Sequence, residues 1–436
     1  MKTPLISAIK HNAKARKVRF CMPGHKGLSK GNKLYASAFF DITELDYSDN
    51  LLFADSVIKQ SERLTADGMG AYRTFYLTTG ATTGNLISAL IVKEFGTEVL
   101  VERASHNSVY NAIGIAGLNP HFIENEIKDG IPAPITLDAV KKAYFKGAIA
   151  LFLTSPNYFG NVAQMAEICE FAHSKGMIVV CDSAHGAHFA YSDLLPPPAH
   201  AFADLTVASA HKTLPVYTGG AYLHASNDDL SARVERIRRV VHTTSPSYII
   251  TCSLDYSQAV MNERGKAQYN KLFDAINELK KCSPYKVEKT DDFTRISLIS
   301  QNGEALMKAL NNHGFEVEFA YGKRCVLIAS PFDISAVKKL GNALKKIHLD
   351  AKEFQPLSYT QPDVVVPYQT AFNAPGEYVA IKDAIGRVSG ALLGLYPPGI
   401  PLVHYGQVIT KDVINLIDKF PSSVYGLANG MVYVLK

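Results

Sequence analysis

Short, continuously apolar runs separated by helical periodicity give the chain its clearest signal. "VLVER" (99–103), "AIALFLT" (148–154), "MIVVCD" (177–182) and "LTVASA" (205–210) are rich in aliphatic and β-branched residues and do not alternate with polar ones. Strands of this kind are covered on both faces, as in a mostly parallel sheet. Helical patterns lie between them, such as "NVAQMAEICEFAHSKG" (161–176), which closes on a glycine suited to a helix C-terminus. Alternating β and α units predict a doubly wound α/β domain. After "YLHASNDD" (222–229) the periodicity stays helical to about residue 283. A βαβ-like set follows in "FTRISLIS" (293–300), "GEALMKALNNHG" (303–314), "FEVEFAYGKRCVLIAS" (315–330) and "ISAVKKLGNALKKI" (334–347). The expected division is an N-terminal arm over 1–40, a large domain over 41–285 and a smaller α+β domain over 286–436. The arm opens on the amphipathic "PLISAIKHNAKAR" (4–16) and turns at the Pro and Gly of "FCMPGHKG" (20–27).

Composition narrows the class without naming a function. Of 436 residues, 47% are hydrophobic and 19% charged, the balance of a globular protein with a sizeable core. The net charge of +5 is spread along the chain. Its densest basic stretch, "RVERIRRVVH" (233–242), places Arg233, Arg236 and Arg239 at helical spacing and reads as a solvated helix face, not a nucleic-acid surface. No apolar run approaches the roughly 18 residues of a membrane span. The N-terminal "MKTPLISAIKHNAKARK" carries charges where a secretory signal would be apolar. Six scattered cysteines without a CxxC pair point to buried free thiols and a cytoplasmic, reducing setting.

In open α/β sheets ligands bind at the carboxyl ends of the strands. Four groups of residues fall there. "TTGATTGN" (78–85) precedes a helical pattern and offers glycines, hydroxyls and helix-start N–H groups, the parts of a phosphate cup. Asp182 ends the "MIVVC" strand, where a partly buried carboxylate needs a cationic or donating partner. His106, in "RASHNS" (103–108), can stack on a flat ligand or move a proton. Lys212, in "VASAHKTLPVYTGG" (207–220), has no charged neighbour for several residues on either side, a setting in which an amine loses its proton through desolvation.

A phosphate cup, a stacking ring, a buried carboxylate and a lysine thirty positions after it (182 to 212) are together what pyridoxal phosphate requires. A metal site built on Asp182, His185 and His188 is a rival, although the spacing departs from the usual zinc helix pattern.

The sequence also resembles a known family, the bacterial ornithine/lysine/arginine decarboxylases of the aspartate-aminotransferase fold (fold type I), in its short form. The likeness runs through "FCMPGHKG", "DITELDYSDNL" (41–51), "GATTGN", "SHNS", "SPNYFGN" (155–161), "DSAHGAHF" (182–189), "SAHKTLP" (209–215), "TSPSY" (244–248) and "AIGRVSGALLGLYPPGIPLV" (384–403). The resemblance implies that Lys212 is the Schiff-base lysine, Asp182 the partner of the pyridine nitrogen and His106 the stacking residue. It further implies that Ala81, Thr82, Thr83, Ser209 and His211 hold the phosphate, and that His185 lies beside the cofactor. A homodimer with shared active sites and no metal is implied too. Ser183, Asn107, "LLFADS" (51–56) and "DDFTRISL" (291–298) depart from the family pattern and bear on substrate choice. The expected activity is decarboxylation of lysine, arginine or ornithine. Another fold type I chemistry, transamination or β-elimination, is the alternative, and a non-catalytic cofactor-binding regulator is a more distant one.

Overall fold

In the computed structural model the described residues are 1–15, 19, 21–27, 33–128, 130–354, 360–396, 399–420 and 423–436. Phe20 of "FCMPGHKG" and Pro397 and Pro398 of "YPPGIP" lie outside them. A seven-stranded sheet is built from β1 (Arg73–Leu77), β2 (Glu98–Glu102), β3 (Asn119–Ile123), β4 (Ala150–Thr154), β5 (Ile178–Asp182), β6 (Leu205–Ala208) and β7 (Ala221–Ala225). Their spatial order is β1-β7-β6-β5-β4-β2-β3. Only β7 runs antiparallel to its neighbours, β1 and β6; the other adjacent pairs are parallel.

Side chains of a strand point alternately to the two faces, and here both faces are buried. Val99, Val101, Phe152 and Val180 pack with residues of the helices Gly80–Lys93, Asn107–Ala116 and Asp228–Val241. Their neighbours Leu100, Leu151, Leu153, Val179 and Cys181 pack on the opposite face with the helices Leu137–Ala143 and Met165–Ser174. This is why the strands read as unbroken apolar runs. The helix expected over 161–176 begins only at Met165. Its predecessors give their backbone N–H groups to side chains instead: Asn161 to Asn157 Oδ1 at 3.0 Å, Val162 to Asp291 Oδ2 at 2.9 Å and Ala163 to Ser155 Oγ at 3.1 Å.

The N-terminal helix Pro4–Ala13 is docked through the buried Leu5 and Ile9. Its start is capped from the long helix Tyr248–Cys282, where Asp255 accepts from the Ile6 N–H at 3.0 Å. Beyond residue 285, the strands Lys286–Val287, Arg295–Ile299, Arg324–Ile328 and Phe319–Tyr321 form an antiparallel sheet in that order. Arg295–Ile299 and Phe319–Tyr321 are joined by the helix Gly303–Asn312, with Arg324–Ile328 inserted between them. Residues 376–435 add two three-stranded sheets around their own core of Leu393, Val403, Ile409, Val413, Ile417, Val432 and Val434. Arg103 ties this segment to the large sheet, donating to the carbonyls of Pro401 at 2.8 Å and Leu402 at 3.1 Å.

The expectation of buried thiols needs correction. The thiols are not all buried, since Cys282 is exposed and Cys21 half-buried. The face of Arg233, Arg236 and Arg239 is solvated as expected, with Arg236 and Arg239 exposed and Arg233 half-buried; Arg233 and Arg236 pair with Glu94 at the surface, and Arg239 donates to the Leu52 carbonyl at 3.0 Å. Among the described residues, no helix is long and apolar enough to cross a membrane.

Candidate active site

The parallel strands β2, β4 and β5 end on Glu102, Thr154 and Asp182, and β6 runs into Ser209. All four residues line one cavity of about 210 Å3. Also on its wall are Gly80, Ala81, Thr82, His106, His185, His211 and Lys212. Eight of the nine residues expected from sequence therefore share this cavity. Thr83 is the exception: it is half-buried and not among the lining residues, its hydroxyl 2.7 Å from that of Thr79.

Asp182 is 4% exposed and held at both oxygens. Oδ1 accepts from the Ala184 N–H at 3.0 Å and Oδ2 from Asn85 Nδ2 at 3.0 Å. The same Asn85 nitrogen donates to Ser108 Oγ at 2.9 Å, and that hydroxyl lies 2.9 Å from His106 Nδ1. The Ser108 N–H also points to Nδ1, at 3.2 Å, so His106 caps its own helix and Nδ1 is an acceptor. A neutral ring then carries its proton on Nε2. Burial holds His106 below the usual imidazole range, which keeps it neutral. Asn85 and Ser108 received no role from sequence, although both lie inside the quoted "TTGATTGN" and "RASHNS" segments.

Lys212 sits on the one-turn helix Ala210–Thr213 directly after β6. Its Nζ lies 3.2 Å from His185 Nε2. Burial lowers the amine's proton affinity, the carboxylate of Asp182 opposes this, and Arg295 adds to it. His185 is buried, with its Nδ1 2.8 Å from Arg295 Nη2 and its ring edge-on to Tyr158 at 4.7 Å. Tyr158 lines the cavity as well and donates to Glu318 at 2.6 Å. His211 donates Nδ1–H to the Gly220 carbonyl at 3.0 Å.

His188 belongs elsewhere, 3.2 Å from Asp292 Oδ1 in a fully buried pair. The three residues of the metal reading thus have separate partners, and no group of three or more His, Cys, Asp or Glu among the described residues is arranged to hold a metal ion.

The walls fit pyridoxal phosphate. A desolvated amine, a fixed carboxylate with acceptor positions to spare and an imidazole surround one space. The 14-residue helix Gly80–Lys93 starts there too, and its first-turn N–H groups lack intrahelical partners. Nothing lies within 4 Å of where a Cβ would stand on Gly80, at φ +80°, so the helix start is uncovered.

Comparison with known proteins agrees with this geometry. The family model described as "Orn/Lys/Arg decarboxylase, major domain" matches residues 3–316. The chain is 30% identical to the uncharacterized protein YaaO of Bacillus subtilis, over 97% of this chain and 95% of that one. It is 29% identical to an arginine decarboxylase of the same organism, over 96% and 93%. Among solved structures, lysine decarboxylase A from Pseudomonas aeruginosa superposes with a TM-score of 0.82 at 18% identity, over 100% of this chain and 80% of that one. The constitutive lysine decarboxylase of Escherichia coli gives 0.80 at 18%, over 100% and 82%. A Sphingomonas wittichii serine palmitoyltransferase gives 0.56 at 15%, over 79% and 83%, as expected for a shared fold type I framework. The chain belongs to the Orn/Lys/Arg decarboxylase family and is a pyridoxal-phosphate-dependent amino-acid decarboxylase of fold type I.

Proposed function

We propose that this protein decarboxylates a cationic amino acid, lysine, arginine or ornithine, with Lys212 and Asp182 at opposite ends of the cofactor ring. The observation that carries the reading is that these two side chains, thirty positions apart, line the same cavity. Bound there, the cofactor supplies an electron sink for the bond between the substrate's α-carbon and its carboxylate.

The remaining work falls to the chain's own residues. Lys212 Nζ would hold the cofactor through its aldehyde carbon and, once displaced by the substrate's amine, would be free to return a proton at the substrate's α-carbon. Asp182 would hold a proton on the ring nitrogen, its carboxylate fixed by Asn85 and the Ala184 N–H. His106, on the cavity wall, would cover one face of the ring and exclude water. The first-turn N–H groups at Ala81 and Thr82 and the Ser209 hydroxyl would hold the phosphate. His211 can donate to it from Nε2 only when doubly protonated, because Nδ1–H is already given to Gly220. Pro132, Ala133, Phe159 and Ile400 supply apolar wall, a setting that destabilises a carboxylate relative to neutral carbon dioxide.

Two observations support a cationic substrate: curated relatives are named arginine and lysine decarboxylases, and Glu318 is held by the cavity-lining Tyr158. A homodimer with shared sites, in the cytoplasm, completes the proposal. The test is to incubate the purified protein and pyridoxal phosphate with lysine, arginine and ornithine in turn. Carbon dioxide and the matching amine are expected from one of them. Keto acid without carbon dioxide would replace this reading with transamination.

A further inference from the structure

Arg295 received no role from sequence, and it does not line the cavity. It is nevertheless fully buried, 1% exposed, with its Nη2 on His185 Nδ1 at 2.8 Å. A guanidinium can only donate, so Nδ1 of His185 must be an acceptor. The ring cannot also take a proton there, and burial, Lys212 and Arg295 all disfavour the imidazolium. His185 is therefore neutral with its proton on Nε2. That N–H faces Lys212 Nζ at 3.2 Å, and a donor facing an amine requires a lone pair on the amine.

We propose that Arg295 is a positioning residue: by donating to Nδ1 it fixes His185 as the Nε2–H tautomer, which hydrogen-bonds to Lys212 and holds the amine in its free-base form. The inference rests on the reading of Lys212 as the amine that takes the cofactor's aldehyde, since only an unprotonated amine adds to a carbonyl.

The groups acting on Lys212 come from several elements. Asp182 ends β5 and His185 follows it, His106 follows β2, Arg295 lies in the strand Arg295–Ile299, and Glu318 precedes the strand Phe319–Tyr321. His211 is its chain neighbour. Asp182 and Glu318 favour the ammonium, whereas burial and Arg295 oppose it. Arg295 is itself fixed from behind. A Cβ on Gly160 would stand 2.6 Å from its Cγ, and Asp292 Oδ2 lies 4.0 Å from Nη1. The arrangement is a buried sequence of four groups, Asp292, Arg295, His185 and Lys212, that ends on the reactive nitrogen.

The test uses the full chain freed of cofactor, so that it does not depend on turnover. Lys212 is acetylated with an amine-selective ester across a pH series, and labelling is read by peptide mass spectrometry against exposed lysines. In parallel, 15N-histidine spectra report the His185 tautomer, with His185→Gln used to assign its signals. Lys212 is expected to label with a midpoint well below that of exposed lysines, and His185 to show the Nε2–H pattern. Arg295→Lys, which still only donates, should preserve both. Arg295→Met should lose the tautomer preference and slow Lys212 labelling at neutral pH roughly tenfold, the effect of one pH unit in the midpoint.

An Nδ1–H tautomer in the wild type overturns the proposal, even if Arg295→Met does not fold. So does an unchanged labelling midpoint in a folded Arg295→Met. A wrong assignment of Lys212 itself would show separately, as a Lys212→Ala protein that still gains visible absorbance with pyridoxal phosphate.

Discussion

Gly399 lies against the imidazole of His106. A Cβ on that glycine would stand 2.9 Å from His106 Cδ2, and the Gly399 carbonyl accepts from the Asn107 N–H at 3.1 Å. A residue close to the C-terminus thus positions the ring that sequence assigned to stacking, 293 places away by the difference between 399 and 106.

Gly399→Ala should displace His106 and loosen the cofactor. Overpacking a fixed contact costs about 1–3 kcal/mol, so affinity for pyridoxal phosphate should fall roughly tenfold or more. Gly386→Ala is the control, because Gly386 shares the left-handed backbone, φ +80° against +82°, with nothing within 4 Å of its Cβ position. Equal losses in both variants, measured by cofactor titration, would assign the effect to backbone strain alone.

Lys212→Ala should stay colourless after incubation with pyridoxal phosphate and dialysis, and release no carbon dioxide from any of the three cationic amino acids. Visible absorbance retained in this variant would move the covalent link to another lysine.

Asn85 connects Asp182 to Ser108 and through it to His106. Loss of a hydrogen bond to a charged group costs about 1.5–3 kcal/mol, so Asn85→Ala should lower kcat roughly 10- to 100-fold. KM should change less, and Asp182→Ala should lose more. Near-normal kcat in both variants would detach Asp182 from the ring nitrogen.

Glu102, buried at the end of β2, has its carboxyl pushed up from 4.5 to about 7 by burial, against the donors Thr154 N–H and Asn125 Nδ2. A raised folded-state value means that the fold prefers the protonated acid. Its contribution to stability is fully present below pH 4.5 and lost as the pH rises through about 7. Glu102→Gln should therefore gain on the wild type by up to about 3 kcal/mol between these limits. Denaturant unfolding at the two ends of that range reads the difference, and a wild type that gains on the variant with rising pH would show the sign to be wrong.

Asp255→Ala removes the acceptor that caps the N-terminal helix and the partner of Ser61 Oγ at 2.7 Å. Loss of a cap costs about 1–2 kcal/mol, so tryptic cleavage at Lys10 and Lys14 should quicken roughly 5- to 30-fold, with cofactor absorbance intact. Unchanged cleavage would mean that Leu5 and Ile9 alone hold the arm.

Much of the site was legible because its residues follow apolar strands directly. Asp182 ends its strand, Ser209 follows its strand directly and His106 caps the helix after β2, and a continuous run such as "MIVVCD" announces both the strand and where it stops. Thr83 does not line the cavity with Ala81 and Thr82, because a helix turns about 100° per residue and neighbouring positions face different sides. Asn85 and Ser108 were visible but bland, since polar residues in the first turn of a helix are ordinary caps. Arg295 and Gly399 carried no local signal, and "DDFTRISL" stood out only as a departure.

The sequence by itself determined the doubly covered parallel sheet, the residues at its strand ends and the pairing of a carboxylate with a lysine, because pattern, propensity and strand termination are properties of neighbouring residues. Only the tertiary structure decided that Arg295 meets His185, that Gly399 meets His106 and that Asp255 caps the arm. Protonation state, tautomer and ring position depend on desolvation and on donors from distant segments, and packing alone brings those segments together.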